Sequence, residues 1–247
     1  METRILKLSP SLVDTFESCP RRYWYLYEPD APRVPKRVSW QLSFGTSLHE
    51  AMKEIYRQGG PPRVPAYALP QILDNSWHNE GYPDQTLEKE KKTQALAILE
   101  QFLAENLGRS VRAIFLEKQL QAQVEGVTLS ARVDRLDALQ PGLLIVDYKT
   151  GSGTLSENQL YISFLVVKFN HRSSSDRPIR FLVLNLERHE ERLIDPQEEK
   201  ALSLISHYAE IKERILKKDF PADPSLETCR YCEGREICPF VRIWQRE

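Results

Sequence analysis

The sequence predicts an α/β fold, and three observations predict it. Apolar residues recur at helical spacing through the first hundred residues and again near 155–168 and 196–217. Residues 113–149 instead alternate apolar with polar between turn signals, and a short apolar strand, RFLVLNLE at 180–187, follows the 155–168 helix. With 247 residues, 41% of them hydrophobic, the chain can bury one core and reads as a single domain over 1–247. Its 34 Lys+Arg offset 35 Asp+Glu, so no global basic field marks a nucleic-acid binder, and any such site must be a local patch. The opening METRILKLSPS lacks the apolar core of a signal peptide and no window approaches a membrane span, so a cytoplasmic protein with no membrane partner is the expectation.

The first helix is read from Ser9 as its cap and Pro10 at its first position, with Leu12, Val13, Phe16 and Cys19 on one stripe and an end near Pro20. Arg21, Arg22, Tyr23, Trp24, Tyr25 and Tyr27 then interleave cations with rings; the composition suits phosphates and bases of DNA, and equally a packed aromatic helix. Pro29 to Pro35 is a loop. FGTSLHEAMKEIY, 44–56, is helical, with Thr46 or Ser47 as N-cap and Leu48, Met52 and Ile55 inward, which puts His49 in the first turn. Residues 68–80 and 86–107 continue the helical part.

Strands follow. AIFLEKQLQAQV and VTLSARVDRLDAL, 113–124 and 127–139, flank Glu125-Gly126 as a hairpin. Pro141-Gly142 predicts a type II turn that folds the second of these back onto LLIVDYK, 143–149. With residues 140 and 143 flanking that turn, 134 faces 149 and 136 faces 147. In an extended strand Leu143, Ile145, Asp147 and Lys149 share a face, so two charges end an apolar strand, with Asp134 beside them. Such charges are costly to bury unless paired or bound to metal. Carboxylates with a nearby imidazole suit magnesium or manganese, and a lysine can orient or deprotonate an attacking water. Taken singly, an acid-x-Lys match reads as a surface ion pair and His49 as an ordinary structural histidine.

RVDRLD at 132–137, DYKTG at 147–151, the helix around Gln159 and FGTSLHE at 44–50, taken together, resemble the PD-(D/E)xK nucleases of the RecB exonuclease branch. The opening SPSLVDTFESCPRRYWYLY resembles the start of the iron–sulfur nuclease domains of AddB-type helicase-nucleases and CRISPR-adaptation nucleases. The resemblance implies a restriction-endonuclease-like fold, a central mixed sheet flanked by helices. It implies His49, Asp134, Asp147 and the Tyr148 backbone carbonyl as ligands of magnesium or manganese and Lys149 as the catalytic lysine, with Glu117 and Gln159 also in the site. Two positions depart from the family pattern: Ala131 stands where a glycine is usual, and Ser163 where the following helix usually has a tyrosine, with Tyr161 nearby. Arg21, Arg22 and Tyr161 are the candidate DNA contacts. The activity implied is that of a metal-dependent deoxyribonuclease, an exonuclease on single strands or DNA ends in repair, recombination or end processing. The alternative is a DNA-binding accessory subunit, with little catalysis, beside a separate helicase or CRISPR-adaptation subunit.

Cys19 and the Cys229-x2-Cys232-x5-Cys238 run are the chain's four cysteines, and four thiolates suit either tetrahedral zinc or a four-iron cluster. Spacing leaves the two open; the resemblance points to a [4Fe-4S] cluster, with zinc as the alternative occupant. Such a centre joins residues 1–40 and 219–247 into a staple around a nuclease core at 41–218.

Overall fold

The computed structural model describes residues 5–34, 38–171 and 178–241. Pro35 and the outer ends of the staple segments, 1–4 and 242–247, lie outside the described residues. A two-residue strand β1 (Lys7–Leu8) precedes α1 (Pro10–Ser18), where Ser9 Oγ accepts the Leu12 N–H at 3.3 Å. The expected single helix is two. Pro20 cannot continue α1, so Cys19 turns extended and α2 (Pro20–Tyr27) starts afresh with Pro20 at its first position.

Helix α3 (Trp40–Arg57) begins four residues earlier than Phe44 because Ser39 caps it, accepting the Leu42 N–H. Ser47, an expected cap, is buried in mid-helix, where its hydroxyl donates to Ser43 O and accepts the His78 N–H. Helices α4 (Leu69–Ser76) and α5 (Gln85–Asn106) follow, the latter capped by Asp84. Strands β2 (Arg112–Val124) and β3 (Val127–Leu139) form the expected hairpin, and the positive φ of Glu125 and Gly126 suits a two-residue turn. After β4 (Gly142–Lys149), helix α6 (Glu157–Asn170) crosses over to β5 (Ile179–Asn185), which lies parallel to β4. A turn leads to the antiparallel edge strand β6 (Glu190–Ile194), and α7 (Glu198–Leu216) and α8 (Leu226–Arg230) end the described elements. The strand β6 escapes sequence reading because its EERLI residues are mostly exposed, as befits a charged edge strand.

The sheet is mixed, in the order β1-β3-β4-β5-β6, with β2 paired along the other side of β3. Leu143 and Ile145 face the core shared with α1, α6 and α7, while Val146 and Tyr148 face the one shared with α3, α4 and α5. The β3–β4 register is two residues tighter than expected. Leu139 pairs with Gly142 and Leu136 with Ile145, so the turn contains only Gln140 and Pro141, whose peptide is cis. A two-residue shift, being even, leaves the side chains of β4 on their predicted faces. Gly142 is required there: its φ is +115°, and a Cβ would lie 2.2 Å from Pro178 O, the acceptor of the Leu143 N–H.

Beyond Arg135 and Val146 the two strands separate. Upstream, β3 pairs instead with β1 at Thr128 and Leu129, and the end of β4 pairs only with β5. Beneath this fork, on the α3 side, Arg135 and Asp137 are buried together: Arg135 Nε donates to both Asp137 oxygens at 2.9 and 3.0 Å, and Nη1 donates to Tyr148 Oη. The guanidinium carbon also lies 3.8 Å from the Tyr56 ring centroid. Asp137→Ala should cost about 3–5 kcal/mol in a urea melt, because it leaves a buried cation unpaired, whereas Arg135→Met/Asp137→Leu should recover most of the loss.

Candidate active site

The fork places three ligand types together. Asp134 stands on β3 just before the strands rejoin, and its Oδ2 accepts the Tyr148 N–H across the gap at 2.9 Å. Opposite it on β2, Glu117 has a φ of +46°, a left-handed conformation rare for a residue with a Cβ and typical of strain held at functional sites. The two strands exchange faces at this pair: Val133 and Leu136, three residues apart, both point into the α6-side core. Ordinary alternation would have put them on opposite faces. From mid-α3, rather than the first turn, His49 reaches in with Nδ1 3.4 Å from Asp134 Oδ2 and 3.5 Å from Glu117 Oε1. Its ring meets that of Tyr148 edge-on at 5.8 Å. Among the described residues, His49, Glu117 and Asp134 form the group in which three ligand atoms lie within 4.8 Å of one another.

A second trio adjoins it. Lys149 Nζ sits 2.8 Å from Asp147 Oδ2 and 2.8 Å from Gln159 Oε1, while Gln159 Nε2 donates to Asp147 Oδ1. Gln159 is held by the cap of α6, its own N–H bonded to Ser156 Oγ at 3.0 Å. Both trios line one cleft of about 380 Å³.

The polar atoms suit a hard cation. Glu117 Oε1 and Asp147 Oδ2 are buried and accept no well-directed hydrogen bond; each faces a cationic nitrogen, His49 Nδ1 at 3.5 Å and Lys149 Nζ at 2.8 Å. Burial disfavours a charged His49, yet the bonds to Asp134 and Glu117 overcome it and push its pKa up to about 10. Burial, eased by Lys149 and reinforced by the charge of Asp134, pushes Asp147 up to about 6. Glu117, expected as an accompanying acid, thus lies in the group whose atoms could hold a metal. Asp147, expected as a ligand, is engaged by Lys149 at one oxygen and by Gln159 at the other.

Sequence reading missed Arg132. Its Nε bonds Glu117 Oε2 at 2.6 Å while its side chain stays 60% exposed at the cleft wall. Its position, two residues before Asp134 on an alternating strand, was the available signal. The buried Arg135–Asp137 pair gave no such signal, since two charges in a strand read as surface.

The candidate DNA contacts lie elsewhere. Arg22 is clamped by Glu233 through Nε at 2.8 Å and Nη2 at 3.0 Å, and Arg21 packs over Trp24 with its carbon 4.9 Å from the ring centroid. Tyr161 is buried in the α6-side core, where a base could not stack on it. Ala131 is buried there too, its methyl fitting the core without disturbing the ladder to Leu120.

Cys229, Cys232 and Cys238 lie on the tail that packs against α2, in the same region as Cys19. Cys19 Sγ accepts the Asp223 N–H at 3.4 Å, and Cys229 and Cys238 share a small core with Tyr25 and Val241. Burial raises the Cys229 thiol pKa, and negative charge on Cys19 and Cys238 raises it further; Cys232 is raised by burial and also feels Cys19. Gly234 lets this loop close on α2, since a Cβ there would lie 2.4 Å from the Tyr25 ring.

The His49 pair of bonds has a measurable consequence. Because the folded pKa is raised, protonated His49 stabilises the metal-free protein fully below its ordinary value near 6.5, and that stabilisation is lost as pH rises through about 10. Its NMR titration should show that high midpoint. At pH 8, binding of one manganese ion should release about one proton, read by calorimetry in buffers of different ionisation enthalpy, and His49→Gln should abolish the release.

The comparisons with known proteins agree with this geometry. The description of the PD-(D/E)XK nuclease superfamily matches residues 7–239. No curated protein matches. Among solved structures, a candidate exonuclease from Eubacterium rectale is similar in fold, with a TM-score of 0.54 and 14% identity over 96% of this chain and 87% of that one. The protein SSO0001 aligns over 98% of this chain and 89% of its own at 15% identity, with a TM-score of 0.43. With nearly its whole length matched and an acidic cleft at a fork in a mixed sheet, the chain belongs to the PD-(D/E)XK nuclease superfamily.

Proposed function

We propose that the protein is a metal-dependent deoxyribonuclease that hydrolyses phosphodiester bonds at DNA ends or in single strands, as an exonuclease. The observation that carries this is the adjacency of His49, Glu117 and Asp134 to Asp147, Lys149 and Gln159, with two buried carboxylate oxygens that accept no well-directed hydrogen bond. His49, Glu117, Asp134 and Asp147 would hold magnesium or manganese, with the Tyr148 carbonyl as a further candidate. A bound ion of this kind polarises a phosphoryl oxygen and acidifies water. Asp147 and Gln159 keep the Lys149 ammonium at the cleft wall, where it can orient the attacking water and offset charge developing on the phosphate. Tyr148, fixed beneath by Arg135, holds Asp134 through its N–H so that the carboxylate is already aimed when substrate arrives.

The cysteines we assign to a [4Fe-4S] cluster that ties the chain ends together, with zinc as the alternative. Support comes from the donor set itself: buried Cys19 and Cys238 and half-buried Cys229 and Cys232, whose mutual charges disfavour ionisation without a cation to collect them. Linking Cys19 to Cys229 closes a loop of about 210 residues, worth roughly 5 kcal/mol by chain entropy.

Cleavage of end-labelled linear DNA should require magnesium or manganese and cease with chelator. Asp134→Ala and Asp147→Ala should abolish it, and Lys149→Ala should lower kcat by about 10²–10⁴ with metal binding retained; full activity of the Lys149 variant rejects its assigned role. Anaerobically purified protein should be brown with about four irons per chain, and Cys19→Ser should lower Tm. One zinc in colourless, active anaerobic protein would reject the iron assignment.

A further inference from the structure

Rings and amines gather at the rim of the cleft, where the first turn of α3 meets the segment before α5. Trp40, the first residue of α3, has its ring centroid 6.2 Å from that of Tyr82; Tyr82 stacks on Trp77 at 5.8 Å with the planes 28° apart. Lys91 Nζ lies 5.2 Å from the Trp40 centroid and Lys92 Nζ 5.6 Å from that of Trp77. Packing accounts for the inner end of this ladder, since Trp77 meets buried Phe44 edge-on and its Nε1 donates to Glu88. It accounts less well for the outer end. Trp40 is only partly buried, and its neighbours Val38 and Leu42 are 41% and 60% exposed, a run of apolar surface beside an active cleft.

The ladder is rigid and continuous with the site. Gly81 has a φ of +79°, and a Cβ there would lie 2.5 Å from Val38 O, so the loop bearing Tyr82 sits directly against the start of α3. Gln41 and Leu42, the next two residues of that helix, line the cleft. On the other flank Lys91 bonds Gln94, Gln94 bonds Glu187, and Glu187 lies beside Gly151 in the loop between the cleft-lining Thr150 and Gly153. Lys92 is paired with Asp74 at 2.9 Å, whereas Lys91, though bonded to Gln94 and the less exposed of the two, has its nearest carboxylate, Glu90, 3.7 Å away and so keeps its charge less fully offset.

We infer that the Trp40–Tyr82–Trp77 ladder with Lys91 is a stacking subsite for single-stranded nucleic acid, feeding a strand toward the metal cleft. The inference rests on the nuclease reading and deepens it by naming the form of substrate. Flat rings take any base and the ammonium takes the backbone, so the subsite is sequence-tolerant and favours unpaired over blunt duplex DNA. Trp40 precedes His49 by nine residues of α3, about 13.5 Å along the axis and half a turn round it, so a strand stacked there would pass over the exposed first turn at Leu42 to reach the cleft.

The test is binding of labelled (dT)12 and of a 12-base-pair blunt duplex by fluorescence anisotropy, with chelator present so that nothing is cut. Trp40→Ala should raise the Kd for (dT)12 about tenfold and Trp40→Phe should restore most of the affinity. Lys91→Gln should reduce the salt slope for (dT)12 by about 0.7. Wild-type affinity in Trp40→Ala together with an unchanged salt slope in Lys91→Gln overturns the proposal, as does a loss confined to the duplex. Circular dichroism guards against misfolding of Trp40→Ala; if that variant unfolds, the salt slope of Lys91→Gln decides. Because no turnover is needed, a protein that binds (dT)12 through Trp40 yet cuts no DNA under any metal would sink the nuclease reading and not the subsite.

Discussion

The separation of β3 from β4 past Arg135 and Val146 is the constraint on which the site depends. In a continued antiparallel ladder the Tyr148 N–H would seek a strand carbonyl, and Asp134 would be one more alternating side chain. The fork frees the N–H, and Asp134 accepts it. A carboxylate is thereby held at one oxygen by backbone and left with remaining capacity for a cation, which a solvated side chain would lack without an entropic cost. The left-handed backbone of Glu117 and the exchange of faces near it on both strands belong to the same distortion. Local irregularity in a sheet re-aims side chains, and here it aims two acids at one point.

Burial makes this arrangement electrostatically tense. Glu117, Asp134 and Asp147 lie near one another under a low-dielectric roof, which is why His49 retains its proton far above its usual range and Asp147 resists losing its own. A divalent cation relieves both effects at once. The buried Arg135–Asp137 pair does not line the cleft; Arg135 donates to the Tyr148 hydroxyl, and the backbone of Tyr148 serves Asp134. Stability and site geometry therefore share one residue.

The chain ends meet at a distance from the cleft, and their joining is local chemistry. The extended Cys19 between α1 and α2, the Arg22–Glu233 pair and the close approach of Gly234 to Tyr25 bring the tail against the first helices. These contacts bury little apolar surface, as the small core of Tyr25, Cys238 and Val241 indicates. The thiolate-bound centre proposed for the four cysteines would supply what that core is too small to provide.

Several parts of the protein were decided by sequence alone. The alternation of LLIVDYK placed Leu143 and Ile145 on one face and Val146 and Tyr148 on the other, and Glu125-Gly126 specified its hairpin, because period and turn chemistry are local properties. The order Glu117, Asp134, Asp147, Lys149 was likewise legible, and the folded chain brings the four to one cleft. Tertiary structure decided the β3–β4 register, the start of α3 at Ser39 and the strand β6, each of which turns on which competing cap, turn or edge the folded neighbours select. It also decided which charges are buried. Arg135 and Asp137 look like surface residues until α3 covers them, and Arg22 and Tyr161 look available until Glu233 and the α6-side core take them. Sequence carries what a residue can do with its near neighbours; burial and pairing depend on residues a hundred or more positions away, which only the folded chain brings together.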